Sequence, residues 1–153
     1  MLNTQVPDFS LPATSNTTFQ LANYLGKTLV IYFYPKDATP GCTTQGMQFR
    51  DCYADFQANN CEIVGISRDS LKSHENFKAK FNLPFKLLAD TEELACNLFN
   101  VMKMKNMYGK QVRGIERSTF VIDSNGNLAR EWRGVKVEGH VPEVLQFIKT
   151  LSI

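Results

Sequence analysis

Residues 28–34, TLVIYFY, and the segment PKDATPGC that follows them at 35–42 decide how the rest of the chain is interpreted. The first seven positions hold β-branched, aromatic and other apolar residues without alternation, which predicts a strand covered on both faces. After Pro40 and Gly41, apolar residues recur at helical spacing, and we predict a helix that runs to about residue 59 or 60. Cys42 therefore falls where a buried strand gives way to a helix.

The same alternation of strands and helices continues towards the C-terminus. CEIVGIS (61–67) and FKLLAD (85–90) predict two further strands, and DSLKSHENFKAKF (69–81) predicts the helix between them, capped by Asp69 or Ser70. Asp90 and Glu93 fit a capping box that opens a short helix. A hairpin before Thr28 would precede this series.

The last third of the chain predicts an antiparallel hairpin and a final helix. STFVIDSNGNLAREW (118–132) has two β-rich runs around a turn, and Pro142 suits the first turn of the helix that follows. KMKNMYGKQVR (103–113) is polar and lacks a clear period, so we predict a long surface loop there. The order of elements indicates an α/β fold in which parallel strands are joined by helices and an antiparallel hairpin forms the sheet edge.

Composition narrows the classes of protein. A chain of 153 residues with 43% hydrophobic residues predicts a single domain over 1–153. The sequence has no apolar run of the ~20 residues that a membrane span needs, and its start lacks the pattern of a signal peptide, so we predict a cytoplasmic protein. The net charge is +2 with acids and bases interspersed, and we predict neither a nucleic-acid nor a membrane partner.

The sequence contains four cysteines, Cys42, Cys52, Cys61 and Cys96, and no CxxC pair. Without an export signal they are predicted to be thiols rather than a disulfide framework. The two histidines, His74 and His140, are far from them in sequence, and we predict no metal site. Both histidines are predicted to lie at the surface.

Cys42 is the candidate nucleophile. A thiol at a helix N-terminus faces unpaired N–H groups and the positive end of the helix dipole, and both stabilise the thiolate. A cation nearby in space would add to this effect.

The segment 35–42 has the form PxxxTxxC, and VIYFYPKDATPGCTTQGMQFRD (30–51) resembles the active-site region of peroxiredoxins. It is most similar to the bacterioferritin comigratory protein, or peroxiredoxin Q, subfamily. VGISRDS, FKLLAD and IERSTFVIDSNG extend the resemblance over nearly the whole chain. It implies a thioredoxin-like fold with a central mixed sheet flanked by helices, and a cofactor-free peroxidase that reduces hydrogen peroxide or organic hydroperoxides.

The resemblance also implies a role for each site residue. Cys42 would be the peroxidatic thiolate that attacks the peroxide and becomes a sulfenic acid. Thr39 would hydrogen-bond the reacting sulfur and oxygen, and Pro35 would shield the site from water. Arg117 would stabilise the thiolate and polarise the peroxide. Many relatives have a glutamate at the position of Gln45 to orient this arginine, and Gln45 can accept a hydrogen bond without bringing a charge.

The thiol that reduces the sulfenic acid is less evident. Members of the subfamily often carry a resolving cysteine five positions after the first, where this chain has Met47, or in the next helix, which here has none. Cys52 lies ~15 Å along an intact helix from Cys42, whereas a disulfide needs Cα atoms ~4.4–6.8 Å apart. Cys61 and Cys96 are predicted to be core residues. We expect a one-cysteine enzyme reduced by thioredoxin, glutaredoxin or glutathione, with Cys52 or Cys96 as the alternative resolving thiol.

Two other functions use a reactive cysteine. A thioredoxin-like disulfide reductase would need a second cysteine where the chain has Gln45. A redox sensor would use oxidation of Cys42 as a signal rather than for turnover. For the oligomeric state we expect a monomer or a weak homodimer.

Overall fold

The structure, a computed structural model, describes residues 2–151. The strands are β1 (Ser10–Ala13), β2 (Thr17–Gln20), β3 (Thr28–Phe33), β4 (Cys61–Ser67), β5 (Lys86–Ala89), β6 (Met102–Met107), β7 (Lys110–Ile115), β8 (Ser118–Ile122) and β9 (Leu128–Arg133). The helices are α1 (Pro40–Asp51), α2 (Tyr53–Ala58), α3 (Leu71–Phe81), α4 (Leu94–Leu98) and α5 (His140–Leu151), with a 3-10 turn at Leu21–Tyr24.

A seven-stranded mixed sheet in the order β2-β1-β5-β4-β3-β8-β9 forms the centre of the fold. Strands β3, β4 and β5 are mutually parallel, and β8 runs antiparallel to β3. Alternate residues of β3 enter two separate apolar cores: Ile31 and Phe33 pack into one, and Val30 and Tyr32 into the other. The predicted α/β fold with a mixed sheet flanked by helices is confirmed, as are the predicted hairpins at its two edges.

The helix predicted after Gly41 is interrupted at Cys52. The backbone there has φ −99° and ψ 2°, and Cys52 separates α1 from α2. The Phe56 ring packs on Phe49, with centroids 5.9 Å apart, and the Tyr53 hydroxyl donates to Glu62 at 2.8 Å. Spacing alone predicts one continuous helix because both halves bury residues at the same period.

The prediction of a loop at 103–113 is wrong, because β6 and β7 form an antiparallel hairpin. Its turn is Tyr108–Gly109, where both residues have positive φ (52° and 80°), as a two-residue hairpin turn of the primed type requires. Both faces of this ribbon are largely exposed over most of its length. The alternation of methionine and lysine at 102–105 does not continue along the hairpin, so the segment lacks the sustained pattern that predicts a half-buried strand.

The predicted capping box at Asp90 and Glu93 is also wrong. The Asp90 carboxylate accepts hydrogen bonds from the amides of Leu94 and Cys96, both at 2.8 Å. Glu93 has φ 60°, and its carboxylate binds Arg113 at 2.7 Å instead of folding back onto the helix start.

Both histidines are buried, contrary to the prediction that they lie at the surface. The His74 side chain on α3 is fully buried against the loop that follows β3. His140 is 5% exposed, its Nε2 lies 2.8 Å from the Thr119 hydroxyl, and burial lowers its pKa to about 4. His74 lies among polar residues in sequence and His140 near a predicted helix start, which predicts exposure of both, whereas the segments that bury the two rings are distant in sequence. Among residues 2–151, no helix is long and apolar enough to span a membrane.

Candidate active site

The candidate site lies at the carboxyl end of β3, where the antiparallel register brings a second segment alongside. Phe33 pairs with Ser118, the first residue of β8, so Arg117 lies beside the chain as it leaves β3. The half-buried Pro35 follows two residues after Phe33, and the loop through Thr39 leads into α1. Cys42 is the third residue of that helix and is 2% exposed.

The Arg117 guanidinium bridges two side chains on one face of α1. Its Nη2 donates to the Cys42 Sγ at 3.5 Å, and its Nη1 donates to the Gln45 Oε1 at 2.6 Å. Gln45 is fully buried one turn after Cys42. Its Nε2 has no hydrogen-bond partner within the described part of the chain. The cation is thus held against the thiol by a neutral side chain.

Gly41 allows this close approach. A Cβ at that position would lie 3.2 Å from the Arg117 Nη2. A side chain at this position would require the guanidinium to shift by a few tenths of an ångström.

The N-terminus of α1 adds hydrogen-bond donors to the site. Thr39 is the N-cap in an extended conformation, Pro40 is the first helical residue, and the Thr43 amide donates to the Thr39 carbonyl at 2.9 Å. The amides of Gly41 and Cys42 precede that first helical bond, so their N–H groups form the positive end of the helix. The Thr39 hydroxyl donates to the Lys36 carbonyl at 2.8 Å and keeps lone pairs with which to accept.

A cation and a helix N-terminus on one thiol are the arrangement that favours a reactive thiolate. The same donors can stabilise negative charge on a leaving oxygen when the sulfur attacks. The site is therefore suited to nucleophilic chemistry at sulfur.

The other three thiols lie in surroundings that disfavour ionisation. Burial raises the pKa of the half-buried Cys52, with Asp55 and Asp51 adding to the effect. Burial, followed by the charge of Glu62, raises the pKa of Cys61 to about 12. Burial, followed by the Asp90 carboxylate, raises the pKa of Cys96 well above its ordinary value.

Neither candidate resolving cysteine is brought to Cys42. Helix α1 is unbroken from Pro40 to Asp51, which places Cys52 ~15 Å along the axis. Cys96 packs into the apolar core on the opposite face of the sheet from Cys42.

One cluster of potential metal ligands lies nearby, and the sequence did not predict it. Ligand atoms of Asp37, Asp69 and His74 lie within 4.8 Å of one another. These atoms are already hydrogen-bonded, His74 to Asp37 and to the Leu88 carbonyl, and Asp69 to the Ser67 hydroxyl. The donor set fits an internal hydrogen-bonded network, and we assign no metal to it.

Comparison with known proteins finds the same family by sequence and by structure. Residues 2–131 match the AhpC/TSA family. Peroxiredoxin Bcp of Bacillus subtilis is 49% identical over 148 residues, which cover 97% of this chain and 94% of that protein. The Xanthomonas campestris Bacterioferritin Comigratory Protein superposes with a TM-score of 0.90 at 47% identity, over 95% of this chain and 92% of that one. The alkyl peroxide reduction activity of that protein was studied through structures of trapped intermediate and ligand complexes. A cysteine mutant of Xylella fastidiosa PrxQ superposes with a TM-score of 0.95 at 39% identity, over 100% and 98%.

Proposed function

This chain is a member of the AhpC/TSA family, in its Bcp or peroxiredoxin Q branch, and on that premise we propose that its thiol peroxidase chemistry is carried by Cys42. The thiolate attacks one peroxide oxygen, the S–O bond forms as the O–O bond breaks, and the sulfur is oxidised to a sulfenic acid. The leaving oxygen takes up a proton and departs as water or an alcohol. The observation that carries the proposal is the Arg117 guanidinium held against the Cys42 sulfur at the start of α1.

Each neighbouring residue has a proposed part in this step. Arg117 stabilises the thiolate and the charge that develops on the leaving oxygen. Thr39 accepts from or donates to the bound peroxide, and Pro35 limits the access of water. Gln45 orients Arg117 through the 2.6 Å hydrogen bond without neutralising its charge.

The proposed substrates are hydrogen peroxide and organic hydroperoxides. A shallow cavity of about 410 Å³ lies beside the first turn of α1, lined by Pro40, Gly41, Thr44, Gln48, Val137 and Glu138. Its walls are largely apolar and can accommodate an alkyl group. The alkyl peroxide reduction described for the Xanthomonas relative supports the same substrate class.

The proposed cycle uses one cysteine and an external thiol. Met47 occupies the position where a resolving cysteine would follow on the same helix, and the separation of Cys52 and Cys96 from Cys42 supports this choice. The sulfenic acid is then reduced by thioredoxin, glutaredoxin or glutathione, with release of water and formation of a disulfide on the reductant.

Mass analysis after one equivalent of hydrogen peroxide, with a sulfenic-acid trap present, tests the proposal. We expect the trap on Cys42 alone, and repeated turnover when one of the three thiol reductants is supplied with its NADPH-coupled reductase. A disulfide from Cys42 to Cys52 or Cys96 as the main product would refute the one-cysteine cycle. Full peroxidase turnover by Cys42→Ser would refute the proposed function, and a single oxidation without turnover would instead indicate a sensor.

A further inference from the structure

A buried hydrogen-bonded pair, Asp37 and His74, ties the loop between β3 and α1 to helix α3. The Asp37 Oδ2 lies 2.7 Å from the His74 Nδ1, and the two side chains are 3% and 0% exposed. The Tyr34 hydroxyl donates to the Asp37 Oδ1 at 2.6 Å, and the Ser73 hydroxyl donates to its Oδ2 at 2.8 Å. Burial raises the pKa of Tyr34 well above its ordinary value, so the phenol keeps the proton that it donates.

The hydrogen bonds fix the protonation of the His74 ring. Its Nε2 lies 2.9 Å from the Leu88 carbonyl, which can only accept, so Nε2 carries a hydrogen. Its Nδ1 lies against the Asp37 carboxyl group, so both ring nitrogens are engaged in hydrogen bonds. Loss of one partner of a buried hydrogen-bonded pair leaves the other unsatisfied and is costly.

The Asp37 backbone is held as well as its side chain. Its amide donates to the Asp69 Oδ2 at 2.8 Å, and the same carboxylate oxygen accepts from the Ser67 hydroxyl at 2.6 Å. Asp37 is thereby anchored to the end of β4 and to the segment that leads into α3. The loop cannot shift without breaking several buried hydrogen bonds.

The residue after Asp37 is strained. Ala38 has φ 63°, a left-handed conformation that costs a residue with a Cβ about 1 kcal/mol or more. Such a conformation persists only where its neighbours determine it. Thr39, the N-cap of the helix that carries Cys42, follows directly.

We propose that Asp37 and His74 are positioning residues, which hold the strained turn at Ala38 and so place Thr39 and the first turn of α1 for reaction with peroxide. This inference rests on the proposed peroxidase function of Cys42. Neither residue touches the reacting atoms, and both act through the loop.

Two substitutions at Asp37 separate geometry from charge. In Asp37→Asn, an amide oxygen at the Oδ1 position still accepts from Tyr34. The amide nitrogen at the Oδ2 position can donate to the Ser73 hydroxyl and to a neutral His74 that keeps its bond to Leu88. This variant should retain at least about a third of the rate constant with hydrogen peroxide. Asp37→Ala removes every hydrogen bond made by the Asp37 side chain, and we expect a fall of at least about tenfold.

The ratio of two rates at Cys42 identifies a positioning effect. Alkylation by iodoacetamide, mapped to Cys42 by mass spectrometry, requires a thiolate and access, whereas reaction with peroxide also requires Thr39 and the helix donors in place. In Asp37→Ala the peroxide rate should fall while the alkylation rate changes by less than about threefold. Ser73→Ala removes one hydrogen bond to Asp37, and we expect the ratio of the peroxide rate to the alkylation rate to fall about threefold. This variant replaces Asp37→Ala in the test if Asp37→Ala does not fold.

Phe19→Leu, in the apolar core on the opposite face of the sheet, is the control for a loss of stability alone. It should lower the free energy of unfolding and leave the ratio of rates unchanged. A folded Asp37→Ala with the wild-type ratio would overturn the inference, as would the same fall in Phe19→Leu. Failure of wild-type Cys42 to react with peroxide would instead overturn the proposed function.

Discussion

Replacement of Arg117 by methionine tests the electrostatics of the site most directly. The Nη2–Sγ distance is 3.5 Å, at which two unit charges attract by about 4–5 kcal/mol in an effective dielectric of ~20. Arg117 is half-buried, and screening by water reduces this to about 2–3 kcal/mol. Loss of that stabilisation predicts a fall of about 30- to 150-fold in the rate constant with peroxide.

The assay is a single turnover with excess hydrogen peroxide, in which sulfenic acid at Cys42 is trapped at timed intervals. Arg117→Lys is the matched control, because lysine keeps the charge but cannot bridge Cys42 and Gln45 with a planar fork. We expect it to retain more activity than Arg117→Met and less than the wild type. A folded Arg117→Met with a rate within about threefold of the wild type would refute the assignment of Arg117.

Three further predictions follow from the same structure. Gly41→Ala should lower the peroxide rate about three- to tenfold, measured in the same assay, because its Cβ would lie 3.2 Å from the Arg117 Nη2; an unchanged rate would show that the guanidinium can move without loss. Cys52→Ser should keep full turnover with the preferred external thiol, and loss of turnover would identify Cys52 as the resolving thiol. Burial lowers the pKa of His140 to about 4, so the unfolded state takes up a proton at a higher pH than the folded state. The free energy of unfolding in urea should therefore fall by up to about 2 kcal/mol between about pH 7 and pH 5, and this fall should disappear in His140→Asn.

The elements that the sequence predicts well are those whose own residues carry the pattern. The apolar runs at β3, β4 and β8 predict buried strands because their side chains enter cores on both faces. The β6–β7 hairpin was missed because its stability comes from backbone pairing between largely exposed polar residues. The break at Cys52 leaves the spacing of buried residues intact, so the sequence predicts one continuous helix there.

In the candidate site too, some residues are predicted by the local sequence and others are not. The motif around Cys42 predicts the candidate nucleophile, and the resemblance predicts Arg117 as its partner, which the structure places in contact with Cys42 although it is 75 residues away. The pairing of Asp37 with His74 has no counterpart in local spacing, since α3 packs against the loop only in the folded chain. A usable clue was present: Asp37 follows a parallel strand, and His74 lies on the helix after the neighbouring parallel strand, so both are near the same sheet edge.

Four thiols of identical chemistry differ here only in their surroundings, and the differences support Cys42 as the proposed nucleophile. Cys61 and Cys96 are as buried as Cys42, so burial alone does not separate them. Their neighbours do, because Glu62 and Asp90 bring negative charge towards those sulfurs, whereas Cys42 faces a guanidinium and a helix N-terminus. Since Gln45 is neutral, no charge on that side chain offsets the Arg117 charge beside the sulfur. Exclusion of water strengthens the attraction between Arg117 and a thiolate at Cys42, whereas burial and nearby carboxylates disfavour ionisation of Cys61 and Cys96.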